Sequence, residues 1–87
     1  MKPGEDIIIQ GLKDLSDRKE TIYSLLVSIG SPRLKDIGIP IPEFIFSTPE
    51  HRLYKMLSNE DPDAAHSKYN AWIRRLVSFE RAAECES

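Results

Sequence analysis

The sequence predicts an all-α fold: a small helical bundle of two long heptad-patterned helices and one short helix, joined by an extended Pro-rich crossover. Three observations predict it. Ile8, Leu12, Leu15, Lys19, Ile22, Leu26 and Ile29 recur in alternating steps of four and three, and so do Ala65, Tyr69, Trp72, Leu76, Phe79 and Ala83. That is the rhythm of helices packed lengthwise on other helices. Between the two seams, Pro32, Pro40 and Pro42 with Gly38 exclude a regular helix. The 87 residues are expected to form one domain, and a domain of that size has a thin core.

The first helix is predicted over about 5–29. Pro3 and Gly4 precede it, Glu5 and Asp6 suit the positive end of its dipole, and Gly30, followed by Ser31 and Pro32, suits a left-handed closing position. Gly11 costs about 1 kcal/mol there relative to alanine. A break near Ser16-Asp17 is the competing reading, because Asp17 and Glu20 have the spacing of a capping box. The unbroken phase from Leu15 through Lys19 to Ile22 favours one long helix. Lys19 interrupts that seam, either setting register or snorkelling its ammonium to water.

Over 31–47 the reading is an extended, partly buried crossover. Ile37, Ile39 and Ile41 alternate like a strand, but Pro40 and Pro42 cannot donate to a ladder on their face. With Phe44, Ile45 and Phe46 these isoleucines are expected to cap the helices. A short helix follows over about 48–58. Either Ser47 caps it and Glu50 closes a capping box, or Thr48 caps it and Pro49 takes the first helical position. Leu53, Tyr54, Met56 and Leu57 form its apolar side, leaving Arg52 and Lys55 freer to face water. The last helix is predicted over about 62–84, with Asp61 as cap and Pro62 first. Its Trp72 is read as core.

No chemistry-bearing pattern accompanies these helices. His51 and His66 have no His-x-x-x-His or Glu-x-x-His companion, and Asp63 with His66 is one pair only. The serines form no nucleophile elbow, and the glycines match no phosphate-cradling loop. Cys85 sits between Glu84 and Glu86, which disfavour its thiolate, and has no second cysteine to bridge. Catalytic, cofactor-binding and metal residues are therefore expected to be none. Twelve basic against fourteen acidic residues, net −2, provide no global attraction to nucleic acid or anionic lipid. The N-terminus lacks the pattern of a secretory signal, and no segment reaches the roughly 18 apolar residues a bilayer span needs. A cytoplasmic location, with no membrane partner, is the expectation.

On a helical wheel Lys68, Arg74, Arg75 and Arg81 are read opposite the last seam as a basic stripe, either a phosphate track or a solvated face pairing with Asp14, Asp17 or Glu20. The stretch Ile45-Phe46-Ser47-Thr48-Pro49-Glu50-His51-Arg52-Leu53 resembles the aromatic-Ser-x-x-acid-His-Arg-Leu segment of the small Hha-type modulators. Those are helical proteins that act through partnership with nucleoid-associated proteins. The remainder of the chain departs from that family's pattern, so the resemblance implies only a regulator that works by binding another protein.

The leading functional expectation is a non-enzymatic protein–protein interaction or regulatory module acting as a homodimer. Its interaction seam would be Ile8, Leu12, Leu15, Lys19, Ile22, Leu26, Ile29, Tyr69, Trp72, Leu76 and Phe79. A nucleic-acid-associated regulator using the basic stripe is the alternative, and a small metal-binding or enzymatic protein centred on Asp63 and His66 is third.

Overall fold

A single rod over 5–29 requires Asp17 to Thr21 to continue the helix, and the local hydrogen bonding at those residues prevents it. The computed structural model describes residues 3–86; Met1 and Lys2, part of the N-terminal segment read above, and Ser87 lie outside them. Four helices occur in chain order: α1 (Glu5–Ser16), α2 (Ile22–Asp36), α3 (Pro49–Glu60) and α4 (Ala65–Glu86). No strand occurs among the described residues.

Helix α1 closes in a Schellman motif. Arg18 takes a left-handed φ of 56°, its N–H donates to the Leu15 carbonyl at 2.9 Å, and the Lys19 N–H donates to Asp14 at 2.8 Å. Arg18 stands where glycine is usual, and its guanidinium lies 5.1 Å from the Phe44 ring centroid. Thr21 then caps α2. Its Oγ1 accepts the Ser24 N–H at 3.1 Å while Ser24 Oγ accepts the Thr21 N–H at 2.8 Å. The capping box is thus Thr21 and Ser24, not Asp17 and Glu20. Asp14, buried at this corner, accepts from Thr21 Oγ1 and Gln10 Nε2. The expected long helix is therefore a helical hairpin, and its seam phase persists because Ile8, Leu15 and Leu26 reach one core from two arms.

Helix α2 runs past Gly30 and Pro32 to Asp36. Pro32 removes the bond that the Ser28 carbonyl would accept, yet continuation buries Leu34 completely. The closing glycine is Gly38 rather than Gly30. At φ 91° its N–H donates to Lys35 at 3.1 Å, and the Ile39 N–H reaches Leu34 at 2.9 Å, a second Schellman motif. Residues 31–36, expected in the crossover, are thus helical, and the irregular crossover begins at 37. There Ile37, Ile39, Ile41, Phe44 and Phe46 pack half-buried on the core. Phe44 and Phe46 meet edge to face at 5.1 Å, and the Phe46 N–H donates to Ser28 Oγ at 3.2 Å.

Thr48 precedes α3 in a left-handed conformation with Pro49 at the first helical position, and its side chain makes no capping bond. Arg52 Nε donates to the Ser47 carbonyl at 2.6 Å. Asp61 closes α3 instead of opening α4, since its N–H bonds to Leu57 at 2.9 Å. A turn over 62–64 follows, so α4 begins at Ala65 and not at Pro62.

Helix α2 lies at the centre, touching α1, α3 and α4. Ser24, Leu25, Leu26, Val27 and Ser28 are buried consecutively, which a helix tolerates only when neighbours surround it. Gly11 permits the closest approach: a Cβ there would overlap Val27 Cγ2 and lie 2.5 Å from the Tyr23 carbonyl oxygen.

Candidate interaction surface

The seam residues expected to offer an interface are largely spent inside the chain. Ile8, Leu15, Leu26, Leu76 and Phe79 are buried, and Leu12, Ile22, Ile29, Tyr69 and Trp72 pack half-buried against them. Lys19 belongs to no seam; it is exposed in the connection after Arg18, outside any helix, so neither role predicted for it applies.

The basic stripe also divides. At about 100° per residue, Lys68 and Arg75 lie about 20° apart beside the α4 seam, while Arg74 and Arg81 lie about 20° apart opposite it. All four are exposed, but they form two pairs separated by about 100–140° rather than one track. Nor do the acidic residues of the first hairpin serve as their partners. Asp14 is bonded within the hairpin corner, and Glu20 meets Arg52 at 3.4 Å. Lys68 instead approaches Asp61 at 3.8 Å.

What α4 does assemble is an aromatic ridge across three helices. Tyr54 of α3 and Tyr69 of α4 have ring centroids 5.7 Å apart. Trp72, three residues on, meets Tyr23 of α2 edge to face at 5.8 Å, and Arg75 stacks over Trp72 at 5.2 Å. Tyr54 is 40% exposed and Tyr23 36%, so the ridge has open flanks and half-buried centres. The assignment of Tyr54 to the buried side of α3 is corrected accordingly. These aromatics constrain one another before any partner arrives, which reduces the ordering cost of a contact. Burial raises the Tyr69 hydroxyl pKa above its ordinary value, and the nearby Glu50 carboxylate raises it further. Opposite charges thus stand beside the two central rings: the acid Glu50 acts on Tyr69, and the base Arg75 lies over Trp72.

Tyr23 and Tyr54 fall outside both heptad series, so only the packing of three helices reveals them as neighbours. Tyr, Trp and Arg are the residue types that dominate binding energy at protein interfaces. The remaining candidates stay separate. His66 Nε2 lies 3.2 Å from Asn70 Nδ2, Asp63 is exposed in the 62–64 turn, and Cys85 is exposed. His51 lines an open cleft of about 500 Å³ with Glu20, Arg52, Lys55 and Asn59. Among the described residues no group of three His, Cys, Asp or Glu side chains is placed to hold a metal ion, and no helix is long and apolar enough to cross a membrane. No family model, no curated protein and no solved structure matches the chain.

Proposed function

We propose that this chain is a non-enzymatic protein–protein interaction or regulatory module that acts in the cytoplasm as a homodimer, joined through the ridge Tyr54, Tyr69, Trp72 and Tyr23. The observation that carries the reading is a preformed, partly exposed aromatic row with opposite charges beside its two central rings. A two-fold contact sets the same patch against itself in reverse order. Arg75 of one copy then faces Glu50 of the other, and the aromatic centres meet. Lys68 is already paired with Asp61 and adds no net charge beside Glu50. The net charge of −2 gives little long-range repulsion between copies.

Sedimentation equilibrium tests this directly. A concentration-dependent dimer is expected, with Arg75→Glu and Glu50→Lys each weakening association at least about tenfold, about 1.4 kcal/mol. The double charge reversal should recover much of that loss. A strict monomer at micromolar concentration would overturn the reading, as would a double variant no better than the singles.

The alternative, association with nucleic acid, draws support from Arg74 and Arg81, exposed together on the outer side of α4. Duplex binding that falls steeply with salt and is weakened by replacing both arginines would favour it.

A further inference from the structure

The cleft beside α3 gathers positive charge that the chain leaves largely uncommitted. His51, Arg52 and Lys55 line it from the first two turns of the helix, and its volume of about 500 Å³ lies within the range of small-molecule sites. Among the described residues neither His51 nor Lys55 enters an ion pair. Arg52 is held in place: its Nε donates to the Ser47 carbonyl at 2.6 Å, and its guanidinium lies 5.8 Å from the Phe46 ring centroid. Its Nη1 reaches Glu20 at 3.4 Å, a long contact between side chains that are 38% and 39% exposed. An exposed pair of that kind is weak. Among the described residues Glu20 is the one carboxylate that lines the cleft; Glu50, beside His51 in the chain, does not line it and acts on Tyr69 of α4.

From this geometry we propose that the cleft binds a small organic phosphate monoester, with Glu20 as a built-in competitor that the phosphate displaces from Arg52. The charges match. Arg52 and Lys55 each carry a full positive charge, and a phosphate monoester carries about −1.5 to −2 at neutral pH. The donors match as well, since guanidinium and ammonium groups are the usual partners of phosphate oxygens. The Asn59 amide and the Thr48 hydroxyl line the same cleft, and neither is bonded elsewhere among the described residues. Met56 provides an apolar wall for the organic group. A carboxylate ligand offers a single charge, no more than Glu20 already provides, and so gains little by replacing it. A cation would face Arg52 and Lys55.

Titration of the full chain with phenyl phosphate in a chloride buffer, followed by amide NMR, tests the site. Saturable shifts centred on His51, Lys55 and Asn59 are expected, with phenol producing none that saturate. Lys55→Gln should weaken phenyl phosphate binding about tenfold, the loss of one charge-assisted contact. Lys35→Gln removes the same charge about 20 Å along α2 from Ile22, beyond the reach of screened charges, and should leave binding within about twofold. Glu20→Gln removes the competitor and should tighten binding about threefold, the modest size of an exposed ion pair. All three side chains are exposed, so unchanged helical circular dichroism is expected. Binding that fails to saturate, a Lys35→Gln loss equal to that of Lys55→Gln, or a Glu20→Gln variant that binds no tighter would overturn the proposal. A phosphoserine peptide binding more tightly than phenyl phosphate would place the phosphate on a partner protein and overturn the assignment to a small molecule. None of the residues lining the cleft belongs to the aromatic ridge, so the test does not depend on dimerisation.

Discussion

Glu80 sits where its own neighbours disagree about its charge. Burial pushes its pKa above the usual carboxylate range, Arg33 on α2 pulls it down, and Glu84 on α4 pushes it up again. The balance is upward, so the folded chain holds this proton to a higher pH than the unfolded chain does. The folded state then binds more protons over that window, and stability falls as pH rises. The contribution is full below the unfolded value of about 4.3 and is lost as pH rises through the folded pKa. Replacing Glu80 with Gln removes it. Urea unfolding at stepped pH should show the variant gaining on the parent across that window and remaining the more stable at neutral pH; a parent that gained on the variant instead would contradict the assignment. Nothing in the sequence marks Glu80, whose neighbours Phe79 and Arg81 read as an ordinary seam and surface pair. Its burial comes from Gly30, fifty positions away in the chain, which allows α2 to come close. Arg18 is illegible for a related reason: its left-handed backbone is imposed by the hairpin closing around Asp14 and Lys19, whereas Gly38 announces the same geometry by residue type.

At the level of elements, the α1–α2 hairpin depends on Gly11. Helix propensity alone predicts that Gly11→Ala gains about 1 kcal/mol, because glycine is a poor helix former. Packing predicts the reverse. The added methyl overlaps Val27 Cγ2 and crowds the Tyr23 carbonyl oxygen at 2.5 Å, and a helix backbone cannot turn aside as a side-chain end does. Overpacking of this kind costs about 1–3 kcal/mol, so the expected net effect is destabilising. A lowered urea midpoint with an unchanged slope would agree with this, and a raised midpoint would show that α1 and α2 separate freely. The same hairpin explains how much of the elements could be read in advance. Helical character was legible wherever apolar residues recur, as in Ile8 to Leu15 and Leu76 to Phe79, because one buried face writes that period. The break at Asp17 was not, since Leu15 and Ile22 hold the same phase whether they lie on one rod or on two arms. Pro32 misled in the opposite direction: its missing N–H weakens one bond, but burial of Leu34 beyond it keeps α2 helical.

For the molecule as a whole, the radius of gyration of 12.5 Å is close to the roughly 12 Å expected of a compact chain of this length. The apolar seams are therefore used to close one chain. Leu26, with no exposed surface, separates this arrangement from a seam shared between chains. If the seam were intermolecular, Leu26→Asp would free folded monomers. With Leu26 inside the chain, the charge has nowhere to hydrate, and an unpaired buried carboxylate costs several kcal/mol. Total stability for this length is about 4–13 kcal/mol at 0.05–0.15 kcal/mol per residue, so that cost removes much of it. The expected outcome is loss of helical circular dichroism or of cooperative melting in Leu26→Asp, whereas Arg75→Glu keeps both and changes only the sedimenting mass. A folded, monomeric Leu26→Asp would return the seam to the interface. Folding and the proposed association thus overlap only in part: the heptad positions close the bundle, Tyr69 and Trp72 belong both to that series and to the proposed contact ridge, and Tyr23, Tyr54 and Arg75 belong to neither heptad series.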